Sequence, residues 1–158
     1  MKNAKKYLQI LLIILIIATI AFIFTNSMMP PDVSSEQSNT VAGILERIIP
    51  TDTPFGAFIQ KYVRKLAHFC EYGLLGFEIA IYVMLYARCK LKSASLNMLT
   101  PFAVGFIDEG IQIFSGRGPA LTDVLIDASG FITLSIITYA FCILIGALRS
   151  KKQRRKNG

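Results

Sequence analysis

The sequence lacks the residue patterns on which several common kinds of catalytic site depend. Its single histidine, His68, forms no evident motif with a serine or cysteine, so acyl-enzyme chemistry is the least favoured reaction class. There is no glycine-rich phosphate-binding loop and no internal repeat, so neither a nucleotide-binding loop nor a repeat architecture is indicated. The three cysteines lie within or at the edge of apolar segments and indicate no disulfide framework.

Charge is also scarce, and this scarcity indicates the class of protein. Only 17% of the 158 residues are charged, 53% are hydrophobic, and the mean hydropathy is +0.52. Such a composition is typical of an integral membrane protein rather than a soluble one. The length suits a single domain, which we expect to cover residues 1–158.

Four apolar segments predict an all-α, polytopic fold with four transmembrane helices. The first, residues 7–24, follows three lysines as the apolar part of a signal peptide would, but no small-x-small cleavage site comes after it. We therefore expect an uncleaved anchor, which at ~1.5 Å per residue crosses most of a ~30 Å hydrocarbon core. The other three segments are residues 66–87, 95–115 and 121–148.

The basic residues predict the orientation of these helices. Four spans place both termini on one side of the membrane, and Lys and Arg accumulate on the cytoplasmic side. Twelve of the 17 basic residues fall on the side of the termini: Lys2, Lys5, Lys6, Arg88, Lys90, Lys92, Arg149, Lys151, Lys152, Arg154, Arg155 and Lys156. Both termini are therefore predicted to be cytoplasmic. The basic tail, residues 149–158, has no interleaved aromatics, so we expect contact with anionic headgroups and no nucleic-acid partner.

Residues 25–64 are the one long extracytoplasmic segment of this topology. Pro30-Pro31, the Ser/Asn/Thr-rich residues 34–40 and residues 51–56 carry loop signals. Residues 41–49 are amphipathic and predict a short helix that lies at the outer interface. In the second span, Gly73 and Gly76 indicate close helix packing.

Ionisable residues occur in three of the apolar segments, where charge is costly and usually marks a site. The topology places Glu71 ~9 Å below the outer end of the second span, and Asp108 and Asp127 at about the same depth in the next two. Residues three and four apart share a helix face. Three stripes of polar residues result. The first is Lys65, His68, Glu71 and Tyr72, the second is Asp108 or Glu109 with Gln112, and the third is Asp123 with Asp127. Arg117 lies on the turn between the last two spans.

These spaced residues resemble the VanZ-like family, small bacterial membrane proteins named after a teicoplanin-resistance protein. The resemblance rests on these motifs: Lys65-x-x-His68-Phe-x-Glu71-Tyr72, Asp108-Glu109-x-x-Gln112 followed by Arg117, and Asp123-x-x-x-Asp127-x-x-Gly130. It covers residues 60–131, with a weaker Phe-x-x-Ser element at Phe24 and Ser27. It implies an envelope role in the bacterial cytoplasmic membrane and glycopeptide tolerance, without an established reaction.

Two positions depart from the pattern of that family. Asp127 stands where the family more often has asparagine, which adds a negative charge to the site. Leu134 stands where a second small residue usually follows Gly130. The second departure predicts that the fourth helix makes a less tight contact than a Gly-x-x-x-Gly motif would allow.

The predicted outer pocket holds more acids than bases. Five carboxylates face three fixed cations and His68, so one or two carboxylates have no partner. In a low-dielectric site such a group takes up a proton and can act as a general acid, or it binds a divalent cation that polarises a phosphate. Both alternatives stay open. The predicted catalytic residues are His68, Glu71, Asp108, Glu109 and Asp127, and the predicted ligand-binding residues are Arg64, Lys65, Tyr72, Gln112, Arg117 and Asp123.

Structural roles are alternatives for several of the acidic and imidazole groups. His68 is alternatively a bundle histidine bonded to Glu71 or to a neighbouring helix. Glu109 alternatively faces the outer interface, and Asp123 alternatively caps the fourth helix.

The remaining polar residues have comparable alternatives. Tyr72 is as readily an interfacial aromatic as a ligand contact. Arg64 and Lys65 alternatively extend to lipid headgroups. Glu78 lies deeper in the second span and is expected to be protonated or bonded to another helix.

Three functions agree with these residues. The preferred one is a protein with a polar site open to the outer leaflet that acts on or binds a lipid-linked or phospholipid component of the envelope. The second is a non-catalytic binder that shields a peptidoglycan precursor, and the third is a helper subunit with a structural ion-pair network. The expected partners are membrane lipids or lipid-linked precursors, while the substrate and the oligomeric state are not indicated by the sequence.

Overall fold

The structure, a computed structural model, describes residues 2–49, 52–116 and 120–157. Every regular element within these residues is a helix, which confirms the all-α prediction for them. In chain order the helices are α1 (Lys2–Ser27), α2 (Pro31–Glu46), α3 (Pro54–Tyr86), α4 (Lys90–Asn97), α5 (Thr100–Phe114) and α6 (Leu121–Asn157).

Three of the helices are long and apolar enough to cross a membrane. They comprise Asn3–Ser27, Pro54–Tyr86 and Leu121–Arg154. Large apolar side chains on the outside of α1 and α6, such as Ile17 and Phe141, are more than half exposed, as expected for a surface in contact with lipid tails. The chain is therefore a membrane protein.

The contacts between α1 and α3 show that these two helices are antiparallel. Near the start of α1, Gln9 Nε2 donates to Tyr82 Oη near the end of α3, at 3.1 Å. At the other end of α1, Asn26 Nδ2 donates to Glu71 Oε1 in the first half of α3, at 2.9 Å. The end of α1 therefore lies beside the polar stripe of α3.

Helices α3 and α6 run parallel, whereas α5 is antiparallel to α6. Lys65 Nζ of α3 lies 3.2 Å from Asp123 Oδ1 of α6. Later in both helices, Ser135 Oγ of α6 donates to Gly76 O of α3 at 3.1 Å. At the end of α5, Glu109 Oε2 accepts a hydrogen bond from the backbone N–H that precedes α6. The starts of α3 and α6 and the ends of α1 and α5 thus form one end of the bundle, here called the pocket end.

The opposite end of the bundle is here called the basic end. It holds three elements, which are the start of α1, the end of α3, and helix α4. Tyr86 Oη donates to Lys5 O at 3.0 Å, which joins the first two of these elements. The start of α1 and helix α4, which belong to this end, both carry lysines. The side of the membrane on which it lies is considered below.

Glycines allow the two longest helices to pack closely. A β-carbon on Gly130 would overlap the backbone carbonyl of Phe69, and one on Gly76 would overlap the backbone of α6. Leu134 lies 3.2 Å from the position of a β-carbon on Gly73 and fills the space above it. The expectation of a looser contact for the fourth helix is therefore wrong, because Gly130 meets the α3 backbone directly while the larger leucine faces a glycine. The close packing predicted from Gly73 and Gly76 is confirmed.

Four helices contribute to one buried core. Its fully or nearly fully buried side chains are Ile23 of α1, Tyr72 and Leu75 of α3, Val104 of α5 and Phe131 of α6. This shared core positions α5 against the three longer helices and so determines which polar residues meet at the pocket end.

The segment predicted to be extracytoplasmic, residues 25–64, is more helical than predicted. Residues 34–40 were expected to form a loop, but they belong to α2, which starts at Pro31 and ends at Glu46. Proline is favoured in the first turn of a helix, and the serine hydroxyls bond within this one: Ser35 Oγ donates to Pro31 O at 2.6 Å. The amphipathic run 41–49 is therefore the second half of a longer helix rather than a separate one.

Two further boundaries differ from the predicted spans. Helix α3 begins at Pro54, twelve residues before the predicted second span, because the Thr53 side chain caps it by accepting from Gly56 N–H at 3.0 Å. The predicted third span, residues 95–115, is broken after Asn97, since Pro101 lacks an N–H and cannot continue the preceding helix. Helix α6 continues through the predicted basic tail to Asn157.

Candidate functional site

A charged pocket opens between α3 and α6 at the pocket end. Its volume is about 470 Å³, and its lining combines basic, acidic and imidazole groups. The residues around it are Pro31, Lys61, Arg64, Lys65, His68, Gly116, Asp123, Ile126 and Asp127. Five of these were predicted site residues, so the structure brings together stripes from α3 and α6 that are more than 50 residues apart in the sequence.

The basic side of the pocket comes from consecutive turns of α3. Lys61, Arg64 and Lys65 have the i, i+3, i+4 spacing that places side chains on one helix face. Lys65 pairs with Asp123 at 3.2 Å, and the two side chains are 44% and 23% exposed, so the pair is partly solvated. Asp123 thus bonds to α3 with its side chain instead of capping α6, and Lys65 is held in the pocket rather than extended to headgroups.

The floor of the pocket holds His68 and Asp127, and a second buried acid, Asp108, lies close to both. His68 Nδ1 lies 3.7 Å from Asp127 Oδ1, so the neighbour of the histidine is on α6 rather than Glu71 of its own helix. One ligand atom each from His68, Asp108 and Asp127 lies within 4.8 Å of the others. Asp108 and Asp127 are 0% and 1% exposed, which makes this the most deeply buried group of charges in the pocket.

Each of the other two predicted catalytic acids is oriented by one hydrogen bond. Glu71 accepts from Asn26 with Oε1, and its Oε2 is buried without a hydrogen-bond partner among residues 2–49, 52–116 and 120–157. Glu109 is 7% exposed, so the alternative that it faces the outer interface is wrong. Its Oε2 accepts from Ala120 N–H at 2.8 Å, at the positive N-terminal end of α6, where a carboxylate is favourable.

Two more predicted site residues lie behind the floor of the pocket. Gln112 is 2% exposed, and its Nε2 donates to Asp108 Oδ2 at 2.9 Å, which orients that carboxylate. Tyr72 is fully buried in the core rather than interfacial. Its hydroxyl is near the acids, at 3.9 Å from the position of a β-carbon on Gly105, and Asp127 Oδ2 is equally close to that point.

A second cavity, here called the apolar groove, adjoins the charged pocket. It has a volume of about 590 Å³ and lies between α1, α2 and α3. Its lining includes the apolar side chains Phe22, Val33 and Val41, beside polar ones such as Glu36 and Gln37. Arg64 and His68 line both cavities, so the groove and the pocket are adjacent.

Sequence reasoning missed two residues at this end, Lys61 and Asn26, whereas Ser27 belongs to the Phe-x-x-Ser element noted in the sequence. Lys61 has a visible signal, because it precedes Arg64 by three and Lys65 by four residues. Asn26 has a weaker one, a polar residue at the end of an apolar run, and its partner Glu71 is apparent only in the structure. Ser27 is fully buried and accepts from Ser115 Oγ with its carbonyl oxygen, at 2.9 Å.

One predicted ligand-binding residue, Arg117, lies outside the residues that the structure describes. The deeper acid Glu78 is 7% exposed and accepts from Thr19 Oγ1 at 3.1 Å, so the expected interhelical bond is confirmed. Glu78 therefore belongs to the α1–α3 contact and not to the pocket.

The arrangement supports two kinds of chemistry. The cations on the outer side of the pocket can bind an anion, with arginine suited to bidentate contact with a phosphate or carboxylate. The histidine and carboxylates at its floor can transfer a proton or hold a metal ion.

The fold and the site together define a polytopic helical membrane protein with a charged cavity inside its helix bundle. The chain belongs to the VanZ/LLP1 family, whose model matches residues 12–145. This match covers all the described pocket residues and confirms the resemblance seen in the motifs. No match is found among curated proteins or among solved structures.

Proposed function

We propose that this protein binds or acts on an anionic lipid-linked or phospholipid component of the bacterial cell envelope, at a polar site in the outer leaflet. The observation that carries the proposal is that the charged pocket and the apolar groove are adjacent and share Arg64 and His68 in their linings. An anionic lipid has the same two parts, a charged headgroup and an apolar chain. A free small anion would have no use for the groove.

The charges of the pocket favour an anionic headgroup at its outer side. Within the described part of the chain, neither Lys61 nor Arg64 has an ion-pair partner, whereas Lys65 is paired with Asp123. Two cations of the pocket are therefore available for a ligand. A phosphate that contacts both would form charge-assisted hydrogen bonds, which are stronger than neutral ones.

The proposed orientation places the pocket end outside and the basic end in the cytoplasm. It follows from the positive-inside rule, since the lysines of α1 and α4 lie at the basic end. In this orientation α5 is the third of four spans, although its 15 residues extend only ~22 Å, and α2 lies at the outer interface. Both termini are then cytoplasmic in the cytoplasmic membrane.

Reporter fusions test this orientation. A reporter fused after Gly158 should be cytoplasmic, and one inserted near Ser35 in α2 should be extracytoplasmic. If both reporters lie on the same side, the pocket does not face the outer leaflet and the proposed lipid source is wrong.

Binding itself is tested with charge variants of the full chain. The double variant Lys61→Gln, Arg64→Gln should bind anionic phospholipid, added as mixed micelles, roughly tenfold more weakly than the unchanged protein does. The reason is that it loses two charge-assisted contacts. The matched control is Lys90→Gln, Lys92→Gln, which removes two exposed charges at the basic end. Equal losses in both variants, measured by native mass spectrometry, would show a nonspecific charge effect and contradict the proposal.

A comparison of whole-cell lipids separates an enzyme from a binder. Lipids are extracted from cells with and without the protein and compared by mass spectrometry, beside their teicoplanin tolerance. A lipid species that changes together with tolerance indicates catalysis, whereas tolerance without such a change indicates that a precursor is bound and shielded. Unchanged tolerance would refute the proposed contribution to glycopeptide tolerance.

A further inference from the structure

We propose that His68, Asp108 and Asp127 form a binding site for a divalent transition-metal ion of the Mn²⁺ or Zn²⁺ class at the floor of the charged pocket. The three side chains come from α3, α5 and α6, and one ligand atom from each lies within 4.8 Å of the other two. Neighbouring ligands of one ion at ~2.0–2.2 Å are separated by ~2.8–3.6 Å in octahedral or tetrahedral geometry, so the three atoms need to approach one another by at most ~2 Å.

The surroundings of Asp127 are the first argument for an ion. Its side chain is 1% exposed, and neither carboxylate oxygen has a hydrogen-bond partner in residues 2–49, 52–116 and 120–157. A side-chain nitrogen near it is His68 Nδ1, at 3.7 Å from Asp127 Oδ1, which is beyond hydrogen-bond distance. A bound cation would give this buried carboxylate a partner.

Tyr72 provides a second, independent observation. The side chain is fully buried, and its hydroxyl has no hydrogen-bond partner among the described residues, although a buried tyrosine hydroxyl usually has one. This hydroxyl and Asp127 Oδ2 each lie 3.9 Å from the same point, the position of a β-carbon on Gly105. The phenol of α3 and the carboxylate of α6 thus both lie beside Gly105, and a water molecule bound to the ion would be the partner of the phenol.

The types of ligand indicate the class of ion. One imidazole nitrogen with two carboxylates is a set that suits Mn²⁺, Fe²⁺ or Zn²⁺, whereas Ca²⁺ and Mg²⁺ prefer oxygen ligands alone. Gln112 orients one of these carboxylates through its 2.9 Å bond to Asp108 Oδ2, a supporting contact of the kind that metal ligands usually have.

The ion would be reachable from outside. His68 and Asp127 line the charged pocket, while Asp108 closes the site from behind. A cation there would offset the excess of acids and attract an anionic group that enters past Arg64. The metal site does not depend on the identity of that group, so lipid binding and metal binding can fail separately.

The test uses the full chain, purified without a metal-binding tag, treated with a chelator and freed of it. Mn²⁺ is then titrated without lipid and followed by electron paramagnetic resonance, and Zn²⁺ is titrated in competition. We expect one Mn²⁺ per chain and a spin-echo coupling to an imidazole nitrogen. His68→Gln should abolish the coupling, and His68→Gln and Asp127→Asn should each weaken binding about 100-fold or more.

Glu78→Gln is the matched control, because it neutralises a buried carboxylate of the same bundle outside the cluster. It should bind Mn²⁺ as the unchanged protein does. The thermal unfolding of each metal-free variant shows whether it is folded. Absence of stoichiometric binding of either ion, or binding that survives Asp127→Asn, would overturn the proposal, and so would a site that takes up only Ca²⁺ or Mg²⁺.

Discussion

Buried polar groups at the pocket end differ from those towards the basic end in their hydrogen-bond partners and in how closely acids lie together. Towards the basic end, Glu78 is a lone acid with an interhelical bond from Thr19, and Tyr82 accepts from Gln9. At the pocket end several buried acids lie close together, and Asp127 has no hydrogen bond to any described residue. The first arrangement holds helices together, whereas the second places like charges side by side.

This difference separates polar groups that stabilise the fold from those that require another explanation. In a membrane, an unsatisfied buried polar group costs several kcal/mol, so stability alone would favour an apolar residue at the position of Asp127. The proposed metal ion would supply the missing positive charge. Glu78 also has one oxygen, Oε2, without a hydrogen-bond partner in the described residues, but its other oxygen bonds to Thr19.

The largest expected effect comes from the contact that joins α3 to α6. Gly130→Ala would place a methyl group on the backbone carbonyl of Phe69, so the helices must separate, and we expect a loss of about 3 kcal/mol in the free energy of unfolding. Gly146→Ala, on the same helix with nothing within 4 Å, is the control and should be neutral or slightly stabilising. Denaturant unfolding in micelles measures both, and equal stabilities would show that the contact is not close.

The next effect concerns function at the pocket end. His68→Ala and Asp108→Asn should leave the protein inserted and abundant but abolish its proposed contribution to teicoplanin tolerance, because both side chains belong to the cluster with Asp127. Glu78→Gln should be much milder, since Glu78 lies ~10 Å further along α3 than Glu71. Immunoblots of membranes accompany the tolerance assay. Loss of abundance in the two pocket variants would favour the structural network over a functional site.

Stability should change in opposite directions at the two ends. Thr19→Val removes the donor to Glu78 and should cost about 1 kcal/mol. Asp127→Asn removes a buried charge that lacks a hydrogen-bond partner in the described part of the chain, and in the presence of a chelator it should raise the free energy of unfolding by about 1 kcal/mol. Unfolding of both variants at the same pH measures the difference. A larger loss in Asp127→Asn than in Thr19→Val would make the pocket end the more stabilising of the two.

The smallest effect is expected at the rim of the pocket. Lys65 and Asp123 are 44% and 23% exposed, so their ion pair is partly screened. A double-mutant cycle with Lys65→Gln and Asp123→Asn should give a coupling free energy below about 1 kcal/mol, which falls further in high salt. A coupling of several kcal/mol would show that this pair, rather than the glycine contact, aligns α3 with α6.

The sequence alone determined the class of fold and was sufficient to name most of the candidate site residues. Long apolar segments predict membrane helices because hydrophobicity and length are local properties, and the charges within them mark a site for the same reason. The spacing of the motif around His68 was sufficient to indicate the family that the match over residues 12–145 confirms. Orientation in the membrane and the chemical roles of the site residues stay predictions.

The tertiary structure decided which residues meet. Whether His68 faces Glu71 or Asp127 depends on how α3 rotates against α6, and that rotation follows from the glycine contact at Gly130, which no single helix reveals. The cap that Glu109 provides for α6 also joins groups on different elements. Helical periodicity shows which side chains share a face, but the direction of each face is set only when backbones pack, because the packing energy depends on the shapes of both helices.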